Sequence, residues 1–232
     1  MIRLVAATIA LTVLIGSFAF AQDATPKVQV FGGYSLLRVD HGRLTGELLD
    51  LDLQQASNPF ALKNYFLDGW NAEAQYNVDH WFGIAADFGG RYGTPIIASR
   101  ERTLAGLPKE STYPFLAGPV ISYRTKSRFT PFAHGLFGWD RTSLGASTIT
   151  GSVTSPVSVA ATNYTDFAMA LGGGVDCRVT RHVSVRLGQL DWYRTSIDLN
   201  KFYTNAFGGT LLHGLAIRKA NLRFSAGAVL RF

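Results

Sequence analysis

Apolar and polar residues alternate with a period of two through several stretches of the chain. The clearest stretch lies at 69–78, where Trp70, Ala72 and Ala74 alternate with Asn71 and Glu73. Successive side chains of a β-strand point to opposite faces, so this pattern predicts a strand with one apolar and one polar face. Comparable segments recur along the chain and predict eight strands, at 27–38, 69–78, 81–92, 113–124, 131–142, 167–179, 183–195 and 220–232.

The connections between the predicted strands alternate strictly between short and long. Three of them span about two to six residues, whereas the other four span roughly 20 to 30 residues. This arrangement is typical of an up-and-down transmembrane barrel with short periplasmic turns and long extracellular loops. Because an open sheet edge in lipid would leave backbone groups without hydrogen bonds, the sheet is expected to close. The predicted fold class is all-β: an eight-stranded antiparallel up-and-down transmembrane β-barrel, preceded by a cleaved signal peptide.

The seventh predicted strand changes phase near its middle. Leu187 ends one apolar face, whereas Leu190 and Trp192 are apolar in the opposite phase. One extra residue in a strand moves every following side chain to the other face. We therefore expect a β-bulge at 188–189, because Asp191 would otherwise point into lipid at a cost of a few kcal/mol.

The first residues have the organisation of a secretory signal peptide. Arg3 precedes an apolar run, and Ala19-Phe20-Ala21 matches an A-x-A cleavage site. We predict a signal peptide at 1–21, removed on export, and one barrel domain at 22–232. The alternative is a transmembrane anchor, because the apolar run is about long enough to span a bilayer. Small residues at the cleavage position favour removal.

The composition suits a sheet whose outer face meets lipid. Charged residues make up 16% of the chain, aromatic residues make up 12%, and there are 24 glycines. The net charge is +6, but the basic residues are scattered and form no Lys/Arg-rich block. We therefore expect no nucleic acid as a partner, and anionic lipid or lipopolysaccharide suits an exported basic chain better.

The signal peptide, the eight predicted strands, the alternating connections and the final segment RFSAGAVLRF together resemble a known family. The chain is similar to the small eight-stranded outer-membrane barrels of the OmpA transmembrane-domain and OmpX type. The resemblance implies a location in the cell outer membrane, surrounded by outer-membrane lipid and lipopolysaccharide. It also implies that Phe224 and Phe232 form the assembly signal that the barrel-assembly machinery reads during biogenesis.

Residues in the polar phase of the strands are expected to point into the barrel. An eight-stranded barrel is only wide enough to be filled by side chains, so charges there should pair across the lumen. A gated pore or a proton path is possible, but a structural salt-bridge core is favoured. His134 and Asp140 share the polar phase. The predicted luminal charge network consists of Glu73, Asp87, Arg124, Asp176, Arg178, Arg186, Asp191, Arg223 and Arg231.

Aromatic residues near the strand ends are expected to form two girdles at the membrane interfaces. A sugar-binding platform is the alternative, but belts at both ends need no ligand. The predicted interface aromatics are Trp70, Tyr92, Trp139 and Trp192 at the outer ends and Tyr76 and Tyr123 at the inner ends.

The histidines test whether the barrel carries enzymatic chemistry. Some barrels of this size are lipid A acyltransferases or deacylases, which need a His beside a Ser or carboxylate near the outer rim. His41 and His213 lie in long outer connections, where a pair with Ser35 or Asp40 is conceivable. The other three histidines are predicted at the periplasmic end. We predict no catalytic residue, no cofactor and no metal site, because one thiol and one imidazole do not make a metal site.

These patterns indicate location and architecture more clearly than activity. The expected function is a structural or surface-interaction role in the cell envelope, with long extracellular loops and a charged, filled lumen. The alternatives are a small channel for ions or apolar solutes, an outer-membrane lipid-modifying enzyme, and a soluble periplasmic barrel that binds an apolar ligand.

Overall fold

The computed structural model describes residues 25–39, 61–94, 96–98, 108–125, 127–149, 157–198 and 216–232. Within these ranges, no helix is long and apolar enough to cross a membrane. The described strands are β1 (Val28–Val39), β2 (Ala61–Lys63), β3 (Tyr65–Asn77), β4 (Phe82–Gly93), β5 (Ile96–Ala98), β6 (Glu110–Ser122), β7 (Phe129–Leu144), β8 (Ser147–Ile149), β9 (Val157–Val159), β10 (Thr162–Arg178), β11 (Val183–Asp198) and β12 (Ala216–Arg231).

Eight of these strands form one closed antiparallel barrel in the order β1, β3, β4, β6, β7, β10, β11, β12. Each barrel strand pairs with the next one along the chain, and β12 returns to pair with β1, where Leu36 lies opposite Phe224. The seam extends past β12, because Phe232 N donates a hydrogen bond to Val28 O at 2.8 Å. The predicted eight-stranded up-and-down barrel is confirmed.

The alternation in the sequence becomes the two faces of the barrel wall. In β3, Asn71, Glu73 and Gln75 are buried in the lumen, whereas Trp70 and Tyr76 are exposed on the outside. An apolar outer wall of this kind is stable in lipid or detergent and unfavourable in water. Large exposed apolar side chains occur on every barrel strand, for example Tyr34, Tyr76, Ile84, Phe115, Phe137, Phe167, Leu190 and Leu222.

Short connections join the barrel strands at one end, which we call the short-turn end. Asp79 Oδ1 accepts hydrogen bonds from the backbone N–H groups of Trp81 and Phe82, both at 2.7 Å. An Asp that satisfies backbone donors in this way stabilises a tight turn. The short connections are 78–81, 123–128 and 179–182.

The opposite end, which we call the long-connection end, carries additional strand pairing. β2 pairs with β5, and β8 pairs with β9. β7 and β10 have 16 and 17 residues, so they extend further than the sequence predicted. From the sequence alone, 146–162 is either a loop or a continuation of these two strands. The pairing of β8 with β9 agrees with the continuation in the described residues. The remaining residues of the long connections lie outside the described ranges.

β11 contains the predicted bulge, which is confirmed. Arg186 and Gln189 pair with β12 residues that are only two positions apart, so Leu187 and its neighbour oppose a single residue. Leu187 is exposed on the outer wall, whereas Asp191 is fully buried in the lumen. The extra residue therefore keeps the Asp191 carboxylate off the apolar outer wall.

The lumen contains an apolar cluster as well as charged side chains. Leu67, Leu116 and Leu136 are fully buried, and the cluster extends to Val39 and Tyr65 beside the connection between β1 and β3. We predicted a lumen filled by charges, and the structure is more mixed. Apolar side chains are needed because close packing of the bore requires volume that ion pairs alone do not supply.

Candidate functional site

The middle of the lumen is occupied by the Arg186 side chain and its partners. Arg186 Nη1 donates a hydrogen bond to Glu73 Oε1 at 3.1 Å, and Nε donates to Asp176 Oδ1 at 2.9 Å. The guanidinium carbon lies 4.4 Å from the ring centroid of Phe31 and 4.2 Å from that of Phe132. Because β1 and β7 are on opposite sides of the barrel, these three side chains fill the bore from wall to wall.

Arg223 forms a second group of ion pairs in the lumen. Its Nε donates to Asp191 Oδ2 at 2.6 Å, and its Nη1 donates to Asp87 Oδ1 at 2.9 Å. All three side chains are fully buried. Charge-assisted hydrogen bonds of this length are among the strongest in proteins, and they offset part of the cost of burying three charges.

His134 connects the two arginine groups. Its Nε2 donates a hydrogen bond to Asp191 Oδ1 at 2.8 Å, and its Nδ1 lies 3.7 Å from Glu73 Oε2. The connected side chains come from β3, β4, β7, β10, β11 and β12, so they tie six of the eight barrel strands together across the bore. We call this group the central charge cluster: Glu73, Asp87, His134, Asp176, Arg186, Asp191 and Arg223.

Arg91 and Tyr193 lie beyond the cluster, toward the long-connection end. The Arg91 Nε donates a hydrogen bond to Ser35 Oγ at 3.3 Å, and its guanidinium lies 5.1 Å from the ring centroid of Tyr193. The Tyr193 hydroxyl donates to Asp140 Oδ2 at 2.7 Å. A cavity of about 20 Å³ beside Asp140 and Tyr193 is also lined by Glu110. That volume holds about one water molecule, so it has no room for a solute.

Arg124 joins two turns at the short-turn end. Its Nη1 donates to the carbonyl oxygen of His80 at 2.8 Å, and its Nη2 donates to Asn77 Oδ1 at 2.8 Å. His80 Nε2 in return donates to the carbonyl oxygen of Arg124 at 2.8 Å. Burial and the nearby Arg231 lower the pKa of the Arg124 guanidinium from its ordinary value. The arrangement fastens the turn after β3 to the turn after β6.

Comparison with known families agrees with this architecture. The family model of the outer membrane protein beta-barrel domain matches residues 6–212, which is most of the chain. The chain belongs to this family. No curated protein matches the chain in a sequence comparison.

Several solved structures align with this chain over most of its length. Neisserial surface protein A aligns with a TM-score of 0.52 and 12% identity, over 90% of this chain and 100% of its own. The attachment invasion locus protein Ail of Yersinia pestis has a TM-score of 0.48 and 14% identity, over 90% of this chain and 100% of its own. OprG from Pseudomonas aeruginosa has a TM-score of 0.49 and 12% identity, over 90% of this chain and 96% of its own. At 12% identity, the likeness to the neisserial protein shows a common fold.

Membership of this outer-membrane barrel family identifies the apolar wall as the lipid-facing surface. The structure places all the predicted interface aromatics on this wall, and each is exposed. Tyr92 contacts Tyr113, with ring centroids 6.1 Å apart, and Tyr123 contacts Trp81 at 5.2 Å. Their role at the membrane interfaces stays a prediction. The exposed residues are Trp70, Tyr76, Tyr92, Tyr123, Trp139 and Trp192.

The predicted luminal charges fall into two groups in this outer-membrane barrel. Six of them lie in the central charge cluster, where they form the ion pairs described above. Arg124, Arg178 and Arg231 lie at the short-turn mouth, where Arg124 is buried and the other two are half-buried. Phe224 and Phe232 are exposed on the outer wall of the last strand, and their role as an assembly signal stays a prediction.

Several side chains that shape the lumen were not predicted. Phe31, Phe132 and Tyr193 stack against the luminal arginines, although aromatic residues were expected on the lipid side. Arg91 was missed as well, yet it lies in the same two-residue phase as Asp87, which was predicted to point inward. Phase was therefore a usable signal for Arg91. It was also a usable signal for the rings, because Phe132 shares the phase of His134 and Tyr193 shares that of Asp191.

The residues considered for catalysis or metal binding form no assembled site in the described part of the chain. Asp40, His41 and His213 lie outside the described ranges. Ser35 is fully buried, and its hydroxyl accepts a hydrogen bond from Ser225 Oγ at 3.4 Å as well as the one from Arg91. Among the described residues, no group of three or more His, Cys, Asp or Glu side chains is arranged to hold a metal ion.

Proposed function

We propose that this protein is a closed, non-conducting outer-membrane barrel whose role in the envelope is structural or consists of surface interaction at its long-connection end. The observation that carries the proposal is the Arg186 guanidinium, which lies over Phe31 and Phe132 from opposite walls. Its hydrogen bonds to Glu73 and Asp176 hold it in the bore.

The energetics of buried charge support a closed lumen. Moving Arg186 aside would separate it from Glu73 and Asp176, whose side chains are themselves largely buried. Breaking a buried ion pair and leaving its partner unpaired costs about 3–5 kcal/mol. A state with an open bore is therefore rarely populated. A small channel remains the rival function, and it requires this cluster to rearrange readily.

The proposed orientation has the short-turn end in the periplasm and the long-connection end at the cell surface. The alternation of short and long connections supports this orientation. Arg38, Lys109 and Arg141 are exposed at the long-connection end. Outer-membrane lipid and lipopolysaccharide are the proposed surroundings. The surface end is proposed to bind a partner and not to catalyse a reaction.

A non-enzymatic role is supported by the state of Ser35. Its hydroxyl is fully buried and held by Arg91 and Ser225, so it has no access to a lipid substrate at the rim. Activated nucleophiles need an adjacent base and a path for the substrate. Ser35 has a cation as its near neighbour instead.

Export and assembly are proposed to follow the family route. Removal of the segment 1–21 would leave a mature chain that starts at 22, and the last strand would present Phe224 and Phe232 to the barrel-assembly machinery. Truncation of the exposed Phe232 ring by Phe232→Ala should slow assembly in cells while leaving spontaneous folding in detergent nearly unchanged. Equal assembly rates for the two chains in cells would contradict this role.

The closed state is tested by folding residues 22–232 into vesicles and measuring gel mobility and solute entry on one sample. We expect a heat-dependent mobility shift, which reports the folded barrel, and no osmotic swelling in small sugars or amino acids. Swelling with a normal heat shift would favour the channel. A chain that stays in solution without a shift would contradict the membrane barrel itself.

A further inference from the structure

Within the described ranges, charged residues are distributed unequally between the two ends of the barrel. At the long-connection end, the described ranges include eight cations and five acids: Arg38, Lys63, Arg91, Lys109, Arg141, Arg194, Arg218 and Lys219 against Asp68, Glu110, Asp140, Asp166 and Asp198. At the short-turn end, they include six cations and one acid: Lys27, Arg124, Arg128, Arg178, Arg181 and Arg231 against Asp79. Among the described residues, the excess of cations over acids is therefore larger at the short-turn end.

The one acid described at this end is already engaged. Asp79 Oδ1 accepts hydrogen bonds from the backbone of Trp81 and Phe82 at 2.7 Å each, so the carboxylate serves its own turn. Lys27, Arg128 and Arg181 are exposed and come from three different segments. Cations spaced around a rim, with little acid to balance them, present a positive ring to whatever lies in the plane of that rim.

An aromatic collar lies at the same end of the barrel as these cations. Trp81 and Tyr123 are exposed, and their ring centroids are 5.2 Å apart. Tyr76, Phe82 and Phe129 are exposed on the adjoining strand ends. Aromatic side chains of this kind lie at the level of lipid headgroups, so the collar places the exposed cations where the headgroup phosphates are.

We infer that the short-turn rim, formed by Lys27, Arg128 and Arg181 together with the collar of Trp81 and Tyr123, binds anionic phospholipid headgroups. The leaflet concerned is the periplasmic one, a statement that rests on the proposed orientation. Three exposed cations supply the charge, and the collar fixes their depth. Because acids offset more of the cations among the residues described at the other end, the preference for anionic lipid is assigned to this rim.

The test uses tryptophan fluorescence, because the four tryptophans report different ends. Trp81 is at the short-turn rim, whereas Trp139 lies toward the long-connection end of β7. One full-length reporter retains Trp81 alone, and a second retains Trp139 alone, with the other tryptophans changed to Phe. Each is folded into vesicles of phosphatidylcholine that contain increasing amounts of phosphatidylglycerol with brominated chains, which quenches tryptophan on contact. Brominated phosphatidylcholine at the same amounts is the control quencher, and the ratio of quenching by the two lipids gives the preference.

We expect quenching of Trp81 to show about threefold or greater preference for phosphatidylglycerol, and this preference to fall at high salt. The triple variant Lys27→Gln, Arg128→Gln, Arg181→Gln should lose it. The matched control Arg38→Gln, Lys109→Gln, Arg141→Gln changes three exposed cations at the other end and should retain it. Each variant is first checked for its heat-dependent gel shift.

The inference is overturned if Trp81 shows no preference, if Trp139 shows the same preference, or if the first triple variant keeps it. If that variant does not fold, the unaltered protein still tests the inference: a phosphatidylglycerol preference that does not fall at high salt overturns it. Retention of the protein on peptidoglycan without any lipid preference would also overturn the inference and assign the rim to the cell wall. Conductance through the barrel would contradict the closed lumen without affecting this result, since Trp81 reports only lipid at the rim.

Discussion

Arg223 and Asp191 form a fully buried ion pair in the bore, with 2.6 Å between Arg223 Nε and Asp191 Oδ2. The bulge in β11 is what allows the pair to form, because it turns Asp191 inward while Leu187 faces lipid. The bulge thus brings both Arg186 and Asp191 of β11 into the central charge cluster.

Loss of the arginine from this pair should destabilise the barrel strongly. Arg223→Ala leaves Asp191 and Asp87 buried without their cation, and we predict a loss of about 3–5 kcal/mol in the free energy of unfolding. Urea unfolding in vesicles, followed by tryptophan fluorescence, measures this value. Arg181→Ala, in an exposed turn, is the control and should change stability by less than about 0.5 kcal/mol. A similar small change for Arg223→Ala would contradict the stabilising role of the cluster.

Much of the architecture could be predicted from the sequence because the wall obeys a simple rule. In a barrel strand, lipid and lumen fix the two faces, so the alternation around Trp70 and Glu73 predicts both the strand and its orientation. The phase change between Leu187 and Leu190 predicted the bulge for the same reason. Strand number and closure followed from the alternation and from the need to pair every edge in lipid.

The contacts inside the bore could not be predicted in the same way. Arg186 and Glu73 are 113 positions apart in the chain, and their contact depends on the stagger of all the strands between them. Alternation gives no information on that stagger. Phe31 and Phe132 occupy the inward phase of their strands, but alternation does not show which luminal side chain they contact. Only the closed bore shows that their rings lie against Arg186.

Gly172 is predicted to be essential for the contact between β10 and β11. A Cβ at this position would lie 2.1 Å from the Leu190 carbonyl oxygen and 2.3 Å from Asp191 Oδ1, so Gly172→Ala forces the strands apart. We expect a loss of about 1–3 kcal/mol or more, measured by urea unfolding. Gly32→Ala is the matched control, because a Cβ there meets nothing within 4 Å. Equal effects of the two substitutions would refute the explanation.

Deletion of Leu187 should leave the barrel able to fold. Gly188 alone then lies between Arg186 and Gln189, so regular alternation keeps both Arg186 and Asp191 in the lumen. Deletion of Leu190 should instead destabilise the barrel, because either Gln189 or Asp191 must then face lipid. The heat-dependent gel shift, which should persist for the Leu187 deletion, and urea unfolding compare the two variants. An equal loss of stability in both would contradict the role of side-chain phase in β11.

The turn at Asp79 should make a pH-dependent contribution to stability. Hydrogen bonds from the backbone of Phe82 and Trp81 lower the pKa of the Asp79 carboxyl. The contribution is therefore present above the unfolded pKa of about 3.9 and is lost as pH falls through the lower folded pKa. We expect Asp79→Ala to be less stable than the unaltered chain at neutral pH, and the difference to shrink on acidification. Urea unfolding over this pH range measures it.

The control for this turn is Asp79→Asn, which keeps an acceptor oxygen but cannot ionise. Its stability should change less with pH than that of the unaltered chain in the acid range. A gap between Asp79→Ala and the unaltered chain that stays constant or widens on acidification would argue against a carboxylate cap.

The closed lumen is tested most directly by single-channel recording in planar bilayers, with the unaltered chain and Arg186→Ala side by side. Both samples are first shown to be folded by their heat-dependent gel shift. We predict no steady conductance for the unaltered chain, and conductance steps for Arg186→Ala, because removal of the guanidinium frees the space between Phe31 and Phe132. Steady conductance of the unaltered chain, at a level that Arg186→Ala does not change, would contradict a bore closed by Arg186.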